Sequence, residues 1–312
     1  MNVFNLTLNQ AFLVSVLSGT ILFATPLVLG ALGGVISERS GVVNIALEGI
    51  MLTAAFVCAA VGSVSGNLLV GILAGLVAGG VVGLFLAVLA VSLRVDQVVG
   101  GFVINIAAAG ATAFILRSAF GENVSSPALD QVNVPLLSDI PVLGPSLFQQ
   151  NWLVYATVLL VPIVHVILFR TRAGLRTRSV GENPKAADVA GINVSLVRYA
   201  AVIASGALAG LGGAFLAAAN QNFAETSTVQ GQGFIALAAV IFGKWRPIPA
   251  ALGALLFGFC QALGQPLQVA GAPSALAPLL AMIPYVVTIV VLAGFIGRAV
   301  APAADGIPYV KE

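Results

Sequence analysis

The sequence predicts an all-α, polytopic membrane protein. Three observations carry that prediction: 59% of the 312 residues are hydrophobic, only 8% are charged, and the apolar residues fall in runs of about twenty. Soluble domains carry about a quarter charged residues, so a water-facing surface for this chain would be short of charge. Inside a bilayer every backbone polar group must be bonded internally. These runs do not alternate apolar and polar residues as barrel strands do, so they read as helices. The 35 glycines agree, because small residues let membrane helices approach closely.

We read hydrophobic spans at about 11–36, 44–64, 67–92, 97–117, 151–169, 199–219, 229–243, 248–265 and 275–296, which gives about nine transmembrane helices, within eight to ten. The seventh is short for a full crossing and the ninth carries Pro278 and Pro284. Either reads as a broken or re-entrant helix, tolerated where protein or a water-filled cavity surrounds it. The whole chain, 1–312, reads as a single transmembrane domain. Its N-terminus, Met-Asn-Val-Phe-Asn, lacks the basic region and small-residue cleavage site of a removable signal peptide. Cys58 and Cys260 both lie in apolar runs and read as packing residues.

The positive-inside rule orients the spans. Arg170, Arg172, Arg176, Arg178, Lys185 and Arg198 crowd the connection between spans five and six, while the connection 118–150 has Glu122, Asp130 and Asp139 but no Lys or Arg. Placing Arg39, Arg94, Lys244, Arg246, Arg298 and Lys311 on the same cytoplasmic side predicts an outside N-terminus and a cytoplasmic C-terminus. Only Arg117 is left on the far side. A weak echo links Ala31-Leu-Gly-Gly-Val-Ile36, followed by Arg39, with Ala236-Leu-Ala-Ala-Val-Ile241, followed by Lys244. Transporters often contain such repeats, and alanine-rich helices also match by chance.

Charge placement excludes several function classes. The net charge of +2 is too small to favour nucleic acid. Every Lys and Arg is read at a span end or in a connection, and the acids behave alike apart from Glu48. Ionisable groups inside a bilayer are expensive and usually functional. A proton-coupled carrier is expected to keep several, and an anion carrier to line its path with cations. The energy source is therefore expected in another subunit and the cargo near neutrality. No G-x-x-x-x-G-K-[ST] loop is present to cradle phosphates. Lone His165 reads as a structural histidine rather than a proton relay, and no catalytic or metal-ligand grouping stands out.

The connection 170–198 is a different matter. Asn183 is a good N-cap, Pro184 suits the first helical position, and Gly191 can close a helix in the left-handed conformation. The enclosed Lys185-Ala-Ala-Asp-Val-Ala190 makes under two turns and would not be stable alone in water. A short capped helix beside the membrane makes sense if it docks into a groove on another protein; the plainer reading is a basic loop that only fixes topology. Glu48 reads as one turn beyond Asn44 on the same helix face, either pairing with a basic group or lining a path.

Three segments carry a resemblance. Thr25-Pro-Leu27 followed by Gly33-Gly-Val-Ile-Ser-Glu-Arg-Ser-Gly-Val-Val-Asn-Ile-Ala-Leu-Glu-Gly-Ile-Met-Leu52 resembles the inner-membrane permeases of the ribose and branched-chain amino-acid ABC importers, and most of all their nucleoside (simple-sugar) branch. Gly181 to Ile192, continuing through Ser205 to Gly213, is similar to that family's coupling loop and next helix. Gly233 to Pro247 is similar to its late signature, and Gly306-Ile-Pro-Tyr309 fits the nucleoside branch. The connection 118–150 matches no motif of it.

The resemblance implies a bacterial inner-membrane complex. It would contain this chain, a second permease (identical or homologous), two ATPase domains that bind ATP and magnesium, and an extracytoplasmic substrate-binding protein. No cofactor is expected in this chain, which would be a transport subunit rather than an enzyme. The coupling element would be Asn183, Pro184, Lys185, Ala186, Ala187, Asp188, Val189, Ala190 and Gly191. Polar side chains in or beside spans are the candidate substrate pathway: Asn44, Glu48, Asn105, Asn220, Gln221, Gln232 and Gln261. Amides also bridge membrane helices, so a structural role stays open for each. Nucleosides are the expected cargo, with ribose or another simple sugar as the alternative and an ion-coupled secondary carrier as the competing class.

Overall fold

The computed structural model describes residues 10–135, 137–224, 228–269, 282, 286–287 and 299–311, with backbone alone for 265–269. The helices are α1 (Gln10–Glu38), α2 (Leu47–Ser65), α3 (Leu68–Ala87), α4 (Gln97–Ala119), α5 (Trp152–Arg170), α6 (Arg172–Glu182), α7 (Pro184–Val189), α8 (Val194–Asn220), α9 (Gln232–Phe242) and α10 (Pro247–Val269). A π-helical turn, Val88–Ser92, extends α3, and a second spans Gly144–Phe148. Two small antiparallel ladders, which an all-α reading does not anticipate, join β1 (Val124–Ser125) to β4 (Asn222–Phe223), and β2 (Gln131–Asn133) to β3 (Gln149–Asn151).

Seven of the described helices are long and apolar enough to cross a membrane: α1, α2, α3 with its π turn, α4, α5, α8 and α10. The expected count of nine is not confirmed among the described residues. The stretch read as span seven holds α9, only 11 residues long. Span nine at 275–296, with Pro278 and Pro284, lies outside the described residues, as does Arg298.

Glycine decides how the bundle closes. In α3, Gly75, Gly79 and Gly83 face Gly206, Gly210 and the Val202 carbonyl of α8, and a Cβ on Gly79 would stand 2.4 Å from the Gly206 carbonyl oxygen. No side chain larger than hydrogen fits such a seam, which is how helices pack without a hydrophobic drive. α10 runs antiparallel to α1, with Ala262 against Gly19 and Ala24 against Gly258. The echo segments of α1 and α9 lie side by side, Gly30 against Ala236 and Gly34 against Val240.

Contacts also sort the helix ends into two faces. Arg39 Nε donates to the Trp245 carbonyl at 2.8 Å, and Arg178 Nε to the Leu168 carbonyl at 3.0 Å. Arg39 and Arg178 both stand over the Phe169 ring. Residues 301–311 pack on this same basic face, where the Ala304 amide donates to the Gly181 carbonyl at 2.9 Å.

Candidate functional site

Two places gather the polar chemistry. The first is a node inside the bundle that reaches from the start of α4 to the start of α9. After Gly41, in the left-handed region at φ +86°, the chain does not begin α2 at once but runs through residues 42–46 without helical structure. Asn44 is therefore not on the helix that carries Glu48, and the expected shared helix face does not exist. Non-helical backbone at this depth needs partners from protein, and amide side chains supply them. Gln97 Oε1 accepts from the Val43 amide at 2.7 Å. Asn105 Nδ2 donates to the Ile45 carbonyl at 2.9 Å, while its Oδ1 accepts from the Gly49 amide at 2.7 Å. Asn44 Nδ2 donates to Ser205 Oγ at 2.9 Å.

Glu48 does something its sequence context does not reveal. Its Oε1 accepts from the Gly231 amide at 2.8 Å and its Oε2 from the Gly233 amide at 2.7 Å. The first turn of a helix leaves amides without intrahelical partners, and acidic groups are favoured there. Gly231, at φ +81°, has no side chain to cap α9, so a residue from α2 caps it across the bundle. Gly233 permits the approach, since a Cβ there would stand 2.4 Å from the Glu48 amide nitrogen. From this cap to the basic face α9 rises 11 residues, about 16 Å of a core about 30 Å thick. It is a half-helix, with its N-terminus near mid-depth. Among the described residues Glu48 forms no salt bridge.

Asn44, Glu48, Asn105 and Gln232 thus come together. Gln232 Oε1 and Asn44 Oδ1 are buried without a hydrogen-bond partner among the described residues. Beside them the half-exposed rings of Phe102 and Phe234 meet at 6.4 Å between centroids. Sequence reasoning passed over these rings, although Phe102 stands one turn from Asn105. The other three candidates lie elsewhere. Asn220 ends α8 at the opposite face; Gln221 follows it in the left-handed region and lines a cleft of about 240 Å³ with Gln131, Gln149 and Asn151. Gln261 sits on α10, beside the Ala262 that meets Gly19. His165 stacks on Phe169 with centroids 5.0 Å apart.

The second place is the basic face. Asn183 Oδ1 accepts from the Ala186 amide at 3.0 Å, Pro184 opens α7, and Gly191 follows it at φ +81°. The Ile192 amide closes the end onto the Ala187 carbonyl at 3.0 Å. Ala187 is buried, whereas Val189 is 90% exposed, so α7 presents an apolar side chain outward. α6, preceded by the Thr171 N-cap, was not anticipated within the basic connection.

Below α7 lies a buried charged cluster that corrects the reading of Arg198 as a connection residue and of all acids but Glu48 as peripheral. α8 begins at Val194, so Arg198 is inside it and only 1% exposed. Its Nε donates to the Ser40 carbonyl at 3.2 Å and its Nη1 to the Ile307 carbonyl at 3.0 Å. Glu38 is 3% exposed and accepts from Trp245 Nε1. Burial pushes the Asp305 carboxyl up to about 7, even though Arg198 pulls it down. The residues that bury Arg198 come from both ends of the chain, and no local pattern signals that.

A short capped helix stands at the basic face, and a half-helix, α9, runs from that face into the bundle. Against this geometry, the family model described as "Branched-chain amino acid transport system / permease component" matches residues 16–296. The chain belongs to that family. This permease is 42% identical to the nucleoside ABC transporter permease protein NupC of Lactococcus lactis, covering 95% of this chain and 97% of that one. It is 44% identical to the guanosine ABC transporter permease protein NupQ of Bacillus subtilis, over 95% and 96%. It is 34% identical to a putative glucose ABC transporter permease protein of Haloferax volcanii, over 85% and 82%. No solved structure matches it. The permease is a transport component, and its family implies ATPase and substrate-binding components as partners.

Proposed function

We propose that this permease forms half of the transmembrane path of an ABC importer for nucleosides, and that α7 is where an ATPase pushes. The observation that carries the coupling reading is α7 itself: a six-residue helix, capped at both ends, with Val189 turned to the outside. So short a helix gains little from its own hydrogen bonds, and an exposed valine gains from burial against a partner. The finer assignments are an outside N-terminus and a cytoplasmic basic face, in a bacterial inner membrane. The second permease is identical or homologous, and the two ATPase domains hold the ATP and magnesium. The gathering of arginines and lysines at one face supports that orientation.

For the path we favour the mid-depth node. Buried acceptors left open on Asn44 and Gln232 suit hydroxyl or amine donors, and the Phe102–Phe234 pair offers a face for a planar base. The relatives named for nucleosides and guanosine support that cargo; the glucose-named relative keeps a simple sugar as the second reading. Both cargoes are tested together in proteoliposomes containing the whole complex. ATP-dependent uptake of labelled nucleoside, competed by unlabelled nucleoside and not by ribose or glucose, is the expected result. Uptake driven by an ion gradient without ATP, and abolished by an uncoupler, would instead assign the chain to the secondary carriers. Ala187→Trp or Asp188→Trp should abolish coupled uptake; normal uptake in an assembled variant refutes the role given to α7.

A further inference from the structure

The described C-terminal residues are not a loose end. Residues 301–311 cross the basic face and touch each element that a coupling movement would involve. The Ala304 amide donates to the Gly181 carbonyl at the end of α6. The Ala303 amide donates to Glu182 Oε2 at 3.3 Å. Arg198, from within α8, donates to Ile307, and the same guanidinium holds the Ser40 carbonyl in the turn between α1 and α2. Tyr309 packs against the small cluster that Val180 of α6, Ala187 of α7 and Val194 of α8 form together. Lys311 pairs with Asp188 of α7 at 3.3 Å.

α7 needs such support. Apart from its caps, only Ala187 is buried along its length. The tail adds a second surface, held to α7 by the Lys311–Asp188 pair and by the packing of Tyr309. It also adds a groove of about 420 Å³ between tail and helix, lined by Arg94, Asp188, Ile192, Ser195, Tyr309 and Lys311. Exposed Val189 follows Asp188 of the groove lining, and exposed Ile307 and Val310 add apolar surface along the tail. An ATPase docked on α7 would meet the tail as a continuation of the same interface.

We propose that residues 301–311 are a splint: they complete the ATPase-docking surface and fasten α7 to the Arg198 cluster, so that α6, α7 and the tail move as one body and carry the displacement to the α1–α2 turn. This rests on the reading of α7 as the coupling element. It assigns Tyr309 and Arg198 as positioning residues that act through α7.

The test uses the assembled importer in proteoliposomes, reading ATPase co-purification, ATP hydrolysis and nucleoside uptake separately. In Tyr309→Ala, and in a chain ending at Gly306, ATPase should still co-purify through α7, in reduced yield for the shortened chain, and hydrolyse ATP while uptake per ATP falls at least tenfold. Where the shortened chain fails to assemble, Tyr309→Ala and a bridging measurement decide. For bridging, Glu182→Cys and Ala303→Cys are joined by a reducible bis-thiol reagent in a Cys58→Ala, Cys260→Ala background. Elements moving as one body tolerate the bridge, so uptake stays within twofold of the reduced sample. Unchanged uptake per ATP in Tyr309→Ala, or uptake abolished by the bridge and restored by reduction, overturns the splint. Val189→Asp separates the two readings: attachment and uptake both intact in that variant would remove α7 as the docking site, whatever the tail does.

Discussion

The trans-cap on α9 gives the prediction with the firmest arithmetic. In Glu48→Ala two amides, Gly231 and Gly233, lose their acceptors near mid-depth, where water cannot replace them. Each buried donor left unmade costs about 1–3 kcal/mol, so the pair costs about 2–6 kcal/mol. Glu48→Gln keeps one acceptor and turns an amide donor toward the other, so it should lose roughly half as much. At about 1.4 kcal/mol per tenfold, Glu48→Ala should open the first turn of α9 about thirtyfold more often, or more. Hydrogen exchange of peptides covering 229–243, measured on purified protein, reads that opening directly. Peptides of α8, packed on the glycine seam, provide the internal reference. Exchange at 231–235 within threefold of wild type in Glu48→Ala would refute the cap and return Glu48 to a different role.

Three further outcomes follow from the same geometry. Asn183→Ala removes the Ala186 cap and should cost α7 about 1 kcal/mol, seen as faster exchange or proteolysis confined to 183–191. Gly79→Ala drives a methyl into the Gly206 carbonyl and should cost about 1–3 kcal/mol or more by thermal unfolding, while Gly110→Ala, with open space around it, should be neutral or slightly stabilising. Asp305 gives a pH signature. Its folded value, raised to about 7 chiefly by burial, lies above the ordinary 3.8, so the folded state holds a proton that the unfolded state releases. Docking of the tail is then strongest below about 4, weakens as pH rises toward 7, and is level above that. Asp305→Asn, facing Arg198 as before, should flatten the profile of tail protection between pH 4 and 7.

Much of this was legible in local sequence because its cause is local. The apolar runs are set by the solvent, and α7 by its own caps: Asn183, Pro184 and Gly191 satisfy backbone groups within a few residues of themselves. The role of Glu48 was not legible, because its partners lie 183 and 185 residues away and α2 starts later than its apolar run. Arg198 misled for the opposite reason. An arginine at a span edge ordinarily faces water, and here the α1–α2 turn at Ser40 and the distant 301–311 segment together cover it.

The chain by itself therefore determined which solvent it inhabits, where its long helices run, and where a short helix would stand at the basic face. Those properties follow from side-chain transfer and from hydrogen bonds between near neighbours. Tertiary structure alone decided that a carboxylate from α2 caps the start of α9, and that a cation, two acids and the C-terminal residues share one buried cluster. Each of these satisfies a backbone or charged group with a partner far along the chain, and such pairings exist only once the bundle has closed.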